Sequence, residues 1–320
     1  MSRLCGEKMM RKIVRNSYIA GDVSLSYYEV KNDLPALLMI HAQGTNATSY
    51  NTTWHTLSKK YHLYAVDCPG HGKSDKNKCH YDIVSIGSAL MDFAQHVIGK
   101  EFYLLGHSSG GLIAAYVASK TPMCMGLILE DPPLFSCQGE RRFKTFNYQD
   151  LSTVCHHYIE EAAQEDFVVY YFKNQKIWEF FPDKSREKIK SKLVKSAIKF
   201  RKKYPNKSLK VPFFPKSALE AYRGMHEYDP CFGESFYSDT FHKGVLHREI
   251  LEGISCKTLL MKAKTNFDNQ GTLLAAMSDE DAILAKQTIK RCKVMPFDCG
   301  HGIHVEKKKE FMKVVVDFAK

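Results

Sequence analysis

Short apolar runs and amphipathic stretches alternate along most of this chain. Val23–Val30 alternates apolar and polar side chains, the period-two pattern of a half-buried strand. Leu37-Leu38-Met39-Ile40, residues 61–66, Phe102 to Leu105 and residues 125–129 are apolar runs of strand length. Between them, helical spacing takes over around residues 50–60, at Ile83, Ile86, Leu90, Phe93 and Val97, and over residues 112–118. Strands alternating with helices at this spacing predict a parallel sheet with helices on both faces. The pattern breaks at Pro132 and resumes near Cys256. Aromatic-rich helical stretches occupy the gap, over residues 158–174, 185–204 and 218–228. Then come a strand over 257–263, a helix over 279–290, a strand over 293–297 and an amphipathic helix over 307–320. The expected organisation is a core of residues 1–132 and 256–320, with residues 133–255 inserted at the carboxyl edge of the sheet as a helical lid.

The chemistry concentrates where the strands end. Gly106-His107-Ser108-Ser109-Gly110 stands between an apolar strand and an apolar helix. A serine on so sharp a turn needs strained backbone angles, and its neighbours two residues away must be small. The helix that follows aims its first N–H groups at the same place, which favours a developing oxyanion. Three other loops leave the same edge: His41-Ala42-Gln43-Gly44, Asp67-Cys68-Pro69-Gly70-His71-Gly72-Lys73-Ser74-Asp75, and Glu130-Asp131-Pro132-Pro133. Ligands of open parallel sheets bind at this edge.

These motifs in this order, with Gly300-His301 near the end, resemble the α/β-hydrolase superfamily, in a form with an inserted cap domain. The resemblance implies Ser108 as nucleophile and His301 as general base, with the backbone N–H groups of Gln43 and Ser109 as the oxyanion hole. Ala42 stands where the superfamily commonly has glycine. The acid that completes the triad is open. Asp268 lies in the long loop after the 257–263 strand and ranks first; Asp131, after the preceding strand, is the alternative. Asp279 and Asp281 read as first-turn helix residues. The implied activity is a serine hydrolase that cleaves an ester-like bond of a small, apolar substrate through an acyl-enzyme, with no cofactor and no metal. A serine nucleophile disfavours the carboxylate-dependent dehalogenase and epoxide hydrolase branches. Carbon–carbon hydrolase and cofactor-free haloperoxidase-like chemistries stay open, as does a ligand-binding sensor that turns over little.

Composition sharpens this picture in two places. The ten cysteines among 320 residues include no Cys-x-x-Cys, so free thiols in a reducing, cytoplasmic setting are expected. No run approaches the roughly 20 apolar residues of a membrane helix, and residues 1–15 lack the apolar centre of a secretory signal. The net charge of +11 is local: residues 184–210 hold twelve Lys or Arg and one acid, Glu187. Ile189, Leu193, Ala197 and Ile198 recur among the lysines at helical spacing. This reads as a helix with a cationic outer face, either simply solvated or able to touch an anionic membrane surface. No nucleic-acid motif accompanies the charge. Among other candidates, His107 and His71 read as packing residues, and His304 as secondary to His301. His156-His157 are not read as metal ligands. The aromatics Tyr170, Tyr171, Phe172, Trp178, Phe180 and Phe181 either line a pocket or fill the lid's own core. Tyr228-Asp229-Pro230 is a candidate pocket-facing turn.

Overall fold

Alternation within single strands separates two apolar cores. In the computed structural model, which describes residues 12–214 and 216–319 and leaves aside the side chains of Lys216 and Ser217, the central strands are buried on both faces. The first eleven residues of the 1–15 stretch lie outside the described residues. The strands are β1 (Ile13–Ala20), β2 (Val23–Val30), β3 (Ala36–Ile40), β4 (His62–Val66), β5 (Phe102–His107), β6 (Cys124–Glu130), β7 (Lys257–Lys262) and β8 (Cys292–Pro296). They form one sheet in the order β1-β2-β4-β3-β5-β6-β7-β8. The first two strands pair antiparallel, and β4 through β8 run parallel with β3. Leu38, Ile40, Leu104 and Leu129 face one core with α2 (Ile83–Phe93) and α3 (Ser109–Lys120). Leu37, Met39, Leu105 and Ile128 face the other, against Trp54 and Leu57 of the preceding helix, α1 (Asn51–Leu57). Each parallel strand therefore needs no polar face, which is why these strands read as continuous apolar runs.

Strand β1 has no counterpart in the sequence pattern. It is an edge strand exposed along most of its length, so it carries no alternation to detect. Between β6 and β7 the chain forms α4 (Thr153–Glu160), α5 (Phe167–Asn174), α6 (Asp183–Lys203), α7 (Lys216–Glu220), α8 (Pro230–Tyr237) and α9 (His247–Glu252). The expected helix over 218–228 is not continuous: α7 ends at Glu220, and Asp229 starts a new helix by capping Cys231 N–H with Pro230 at its first position. Asp166 likewise caps α5 and takes a bidentate pair from the buried Arg201 at 2.8–3.1 Å, which fastens α6 to α5. Aromatic side chains of this insertion, Phe172, Trp178 and Phe232 among them, belong to the same apolar core as α2 and α3. The chain closes with α10 (Asp279–Thr288), α11 (Ile303–Glu306) and α12 (Lys308–Phe318), whose Phe311 and Val315 fill the second core.

Two loops at the carboxyl edge are tied together by buried polar groups. Asp67 accepts Ala47 N–H at 2.8 Å on one oxygen, and Lys73 N–H at 3.1 Å and Arg15 Nη2 at 3.0 Å on the other. Gly72 is required beneath it, because a Cβ there would lie 2.2 Å from the Asp67 carboxylate. His41 donates through Nδ1 to Ala42 O (2.8 Å) and accepts Cys68 N–H on Nε2 (3.0 Å). His71 donates to Pro69 O and accepts Gly44 N–H. Burial pushes both imidazoles down, so they are neutral scaffold groups.

A close backbone approach beside the serine turn predicts a stability test. A Cβ on Gly110 would lie 2.3 Å from His41 O, and backbone cannot yield as a side chain can. Gly110→Ala is expected to cost at least about 2 kcal/mol, read as a lower denaturation midpoint in urea, whereas Gly302→Ala, at φ −91° and with a Cβ meeting only Val305 at 3.8 Å, should stay within about 1 kcal/mol.

Candidate active site

The turn from β5 into α3 holds Ser108 at φ 54° and ψ −122°, a region that non-glycine residues avoid. The strain persists because the neighbours determine it. Ser108 N–H donates to Glu130 O at 2.9 Å, and Ser108 O accepts Gly111 N–H at 2.8 Å. Gly106 and Gly110 let β5, α3 and β3 approach: a Cβ on Gly106 would lie 2.2 Å from Gly110 O. The side chain of Ser108 is thereby half-buried at the wall of a cavity of about 390 Å³.

His301 lines the same cavity, with its side chain 40% exposed towards it. Its Nδ1 lies 2.7 Å from Asp131 Oδ2. An ionised carboxylate only accepts, so this contact puts the proton on Nδ1 and leaves Nε2 as the free acceptor. Asp131 is fully buried and also sits at positive φ, 42°. Its other oxygen accepts Ala263 N–H at 3.0 Å, and its own N–H donates to Met261 O at 2.9 Å. Burial would lower the His301 pKa; the hydrogen bond and charge of Asp131, with Glu130 and Glu306 beyond, outweigh it and hold the ring above its ordinary value.

The two expected oxyanion donors differ. Ser109 N–H is the first of α3 and has no intrahelical acceptor. Gln43 N–H is already engaged: it donates to Ser109 Oγ at 2.8 Å. The Gln43 side chain reaches the other way, donating to Tyr228 Oη at 2.8 Å, so the loop after β3 is braced against the insertion. Leu151, Phe146, Phe236 and Leu274 supply apolar wall to the cavity, and Asp150 a buried carboxyl. Asp150 accepts from Tyr171 Oη and from Lys176 N–H (2.5 Å); burial pushes its pKa up to about 6.

A family profile described as alpha/beta hydrolase fold matches residues 35–193. The chain belongs to the α/β-hydrolase superfamily. The likeness of fold extends further: an esterase from Exiguobacterium antarcticum superposes with a TM-score of 0.64 over 95% of this chain and 99% of its own, at 17% identity. Sequence similarity is narrower. An uncharacterized protein of Mycobacterium bovis is 28% identical over 102 residues, 32% of this chain and 30% of that protein. A pimeloyl-[acyl-carrier protein] methyl ester esterase of Yersinia pseudotuberculosis is 31% identical over 106 residues, 32% of this chain and 39% of its own. The matches thus span only about a third of these relatives' lengths.

In this α/β-hydrolase the carboxylate on the histidine is Asp131, and the expectation for Asp268 fails. Asp268 spends its hydrogen bonds inside its own loop, where Oδ1 accepts Gln270 N–H at 2.9 Å and Thr272 N–H at 2.8 Å. Bridges of Phe267 and Thr145 to Leu273 fold that loop back on itself and on the insertion. Asp131 needs no loop to reach across, because it directly follows β6, two strands from β8 and the loop that carries His301. Of the six aromatics, Tyr171 lines the cavity, while Phe172 and Trp178 pack on each other with Trp178 Nε1 donating to Phe172 O (2.7 Å). His156 has two acidic partners: Glu234 at 2.9 Å and Glu160, one helical turn away, at 3.2 Å.

Sequence reasoning missed Glu130. It is fully buried, and Oε1 accepts both His304 N–H and His304 Nδ1–H at 2.7 Å. His107 completes the brace, with Nε2 3.0 Å from His301 O. Burial works to raise the Glu130 pKa, but the histidines and their hydrogen bonds bring it down to about 2; burial brings His107 down to about 3. A buried apolar run ending in an acid, Leu127-Ile128-Leu129-Glu130, was the available signal. One ring nitrogen or carboxylate oxygen from each of His107, Glu130 and His304 lies within 4.8 Å of the others, as do Cys137 Sγ and a ring nitrogen from each of His242 and His247, so these are the groups to weigh as metal ligands. Glu130 engages Nδ1 of His304 and leaves its Nε2 unpartnered; His247 Nδ1 takes Phe135 N–H at 2.8 Å and leaves its Nε2 unpartnered.

Because the folded Glu130 pKa lies below its ordinary value of 4.5, its contribution to stability is present above that value and is lost as pH falls towards about 2. Glu130→Gln is expected to lose a few kcal/mol at pH 7 and to show a flatter stability profile between those two pH values. Chemical denaturation at a series of pH values reads both.

Proposed function

We propose that this protein is a serine hydrolase that cleaves ester-like bonds of small, largely apolar substrates. The observation that carries the reading is the His301 Nδ1–Asp131 hydrogen bond of 2.7 Å, at a cavity that Ser108 also lines from its strained turn. His301 Nε2 takes the Ser108 Oγ proton as the oxygen attacks the carbonyl carbon. Asp131 fixes the tautomer and stabilises the imidazolium. The oxyanion rests on Ser109 N–H, and on Gln43 N–H once the Ser109 hydroxyl turns aside. His301 then returns the proton to the leaving group, and water resolves the acyl-enzyme by the same steps. Residues 133–255 act as a cap, placing Leu151 and Phe236 over the acyl site. The partly aligned methyl ester esterase and the superposed esterase support ester cleavage as the reaction class.

A second reading, a ligand-binding protein of this fold with little turnover, draws on one observation: Gln43 N–H is occupied by Ser109 Oγ. The two readings separate experimentally. A fluorophosphonate probe should label Ser108, and Ser108→Ala should abolish both labelling and hydrolysis of p-nitrophenyl esters; folded protein that never labels favours the binding reading. Asp131→Asn is expected to lower kcat by up to about ten-thousand-fold, while Asp268→Asn stays within about threefold and loses about 1 kcal/mol of stability.

The pH profile carries a sign. Turnover requires neutral His301, and its pKa is raised above 6.5, so activity falls as pH drops through that raised value. Without the Asp131 charge the downward pull of burial remains, and the acid limb of Asp131→Asn should move to lower pH. Ser109→Ala frees Gln43 N–H from a hydrogen bond worth about 1 kcal/mol and is expected to raise kcat about fivefold; an unchanged or lower kcat would remove Gln43 from the oxyanion hole.

A further inference from the structure

Helix α6 carries its lysines on one side. Taking 100° per residue, Lys184, Lys188, Lys192, Lys195, Lys199 and Lys202 fall within roughly 80° of arc and span about 27 Å. Leu193, Ala197 and Arg201 are buried on the opposite side, with Ile189 and Phe200 packed beside them. All six lysines are exposed. Among the described residues none of them takes part in an ion pair; the salt bridges of α6 are those of Arg186 and Arg201. A solvated helix face normally interleaves both signs, and this stripe has only one.

The stripe is flanked by exposed aromatics. Phe180 lies just before the helix and is 53% exposed; Phe213 lies beyond its end and is 95% exposed. Phe213 is also held at φ 65°, a left-handed conformation that a bulky side chain avoids. Nothing within the fold uses the ring so displayed, and strain of this kind persists at functional positions. Between α6 and the Phe213 loop lies an open groove of about 940 Å³. Its walls include Phe200, Leu209 and Phe214, and cationic residues Lys199, Lys203 and Lys210 line it as well. Glu220 lines both this groove and the cavity of Ser108, so the two are neighbours across one short stretch of chain.

We propose that this face docks the protein on an anionic phospholipid bilayer, with the α6 lysines against the headgroups and Phe213 inserted among the acyl chains. Charge complementarity and the outward phenylalanine point to the same occupant. A cationic stripe alone would suit any polyanion, but an apolar ring held out beside it matches a surface that is charged outside and apolar beneath. Nucleic acid would leave the Phe213 strain unused in a duplex groove. The proposal does not depend on the hydrolase reading, because docking is measured without turnover.

Co-sedimentation of the full chain with vesicles decides it. Binding to vesicles of about 30 mol% phosphatidylserine is expected at about 50 mM NaCl, at least tenfold weaker at about 300 mM, and absent for pure phosphatidylcholine. Lys188→Gln combined with Lys192→Gln, Lys195→Gln and Lys199→Gln should weaken binding about tenfold and flatten its salt dependence. Phe213→Ser should weaken it about threefold and leave the salt dependence unchanged. Circular dichroism and soluble-ester turnover check that the variants remain folded. No binding to anionic vesicles at low salt, equal binding to neutral vesicles, full binding by the quadruple variant or by Phe213→Ser, or tighter binding to single-stranded RNA than to vesicles at the same salt would each overturn the proposal.

Discussion

One buried carboxylate joins the pieces on which everything else rests. Asp131 terminates β6, receives Ala263 N–H from the end of β7, and holds His301 beyond β8, partners 132 and 170 residues away in the chain. A fully buried charge is tolerated only if it is paired and hydrogen-bonded, so this position fixes where the last third of the chain must lie. The same contact sets the histidine tautomer. Removing it would leave Ala263 N–H without its acceptor and His301 without the contact that fixes its ring.

Around it, the carboxyl edge is organised by buried anions. Glu130 pins His304 and, with His107, the backbone of the His301 loop; Asp67 gathers N–H groups from two loops and pairs with Arg15. Backbone donors and imidazoles do most of this work. Such donors are set by strand ends and turns, so their positions are rigid and their cost in side-chain entropy is small. The strained serine turn is sustained by the same rigidity, since three backbones in contact at Gly106 and Gly110 leave no alternative path.

The insertion obeys a different logic. It adds aromatic mass to one existing core rather than building its own, and it touches the loops after β3 and β4 through Gln43–Tyr228 and Asp229–Gly70 contacts. Its inner side shapes the cavity, while its outer side carries the unneutralised lysines. Part of the cavity wall and the cationic stripe therefore both belong to the segment whose sequence pattern is least regular.

How much was legible follows from which forces are local. One alternating stretch, continuous apolar runs and 3.6-residue periodicity marked seven of the eight described strands and the core helices, and the Gly-x-Ser-x-Gly spacing placed Ser108 because steric demand at a sharp turn is written in adjacent residues. Strand β1 escaped because an exposed edge has no burial pattern. His301 was marked by its motif, but its acid was not: Asp131 and Asp268 leave the same sheet edge, and only the folded chain shows one carboxylate turned to the imidazole and the other to its own turn. The occupied Gln43 N–H was equally out of reach, while Glu130 left only the trace of an acid ending a buried apolar run. Local sterics and burial periodicity are properties of neighbouring residues and survive in a one-dimensional pattern. The choice among carboxylates and donors depends on angstrom-scale distances between loops more than a hundred residues apart, and those exist only once the sheet has brought its strand ends together.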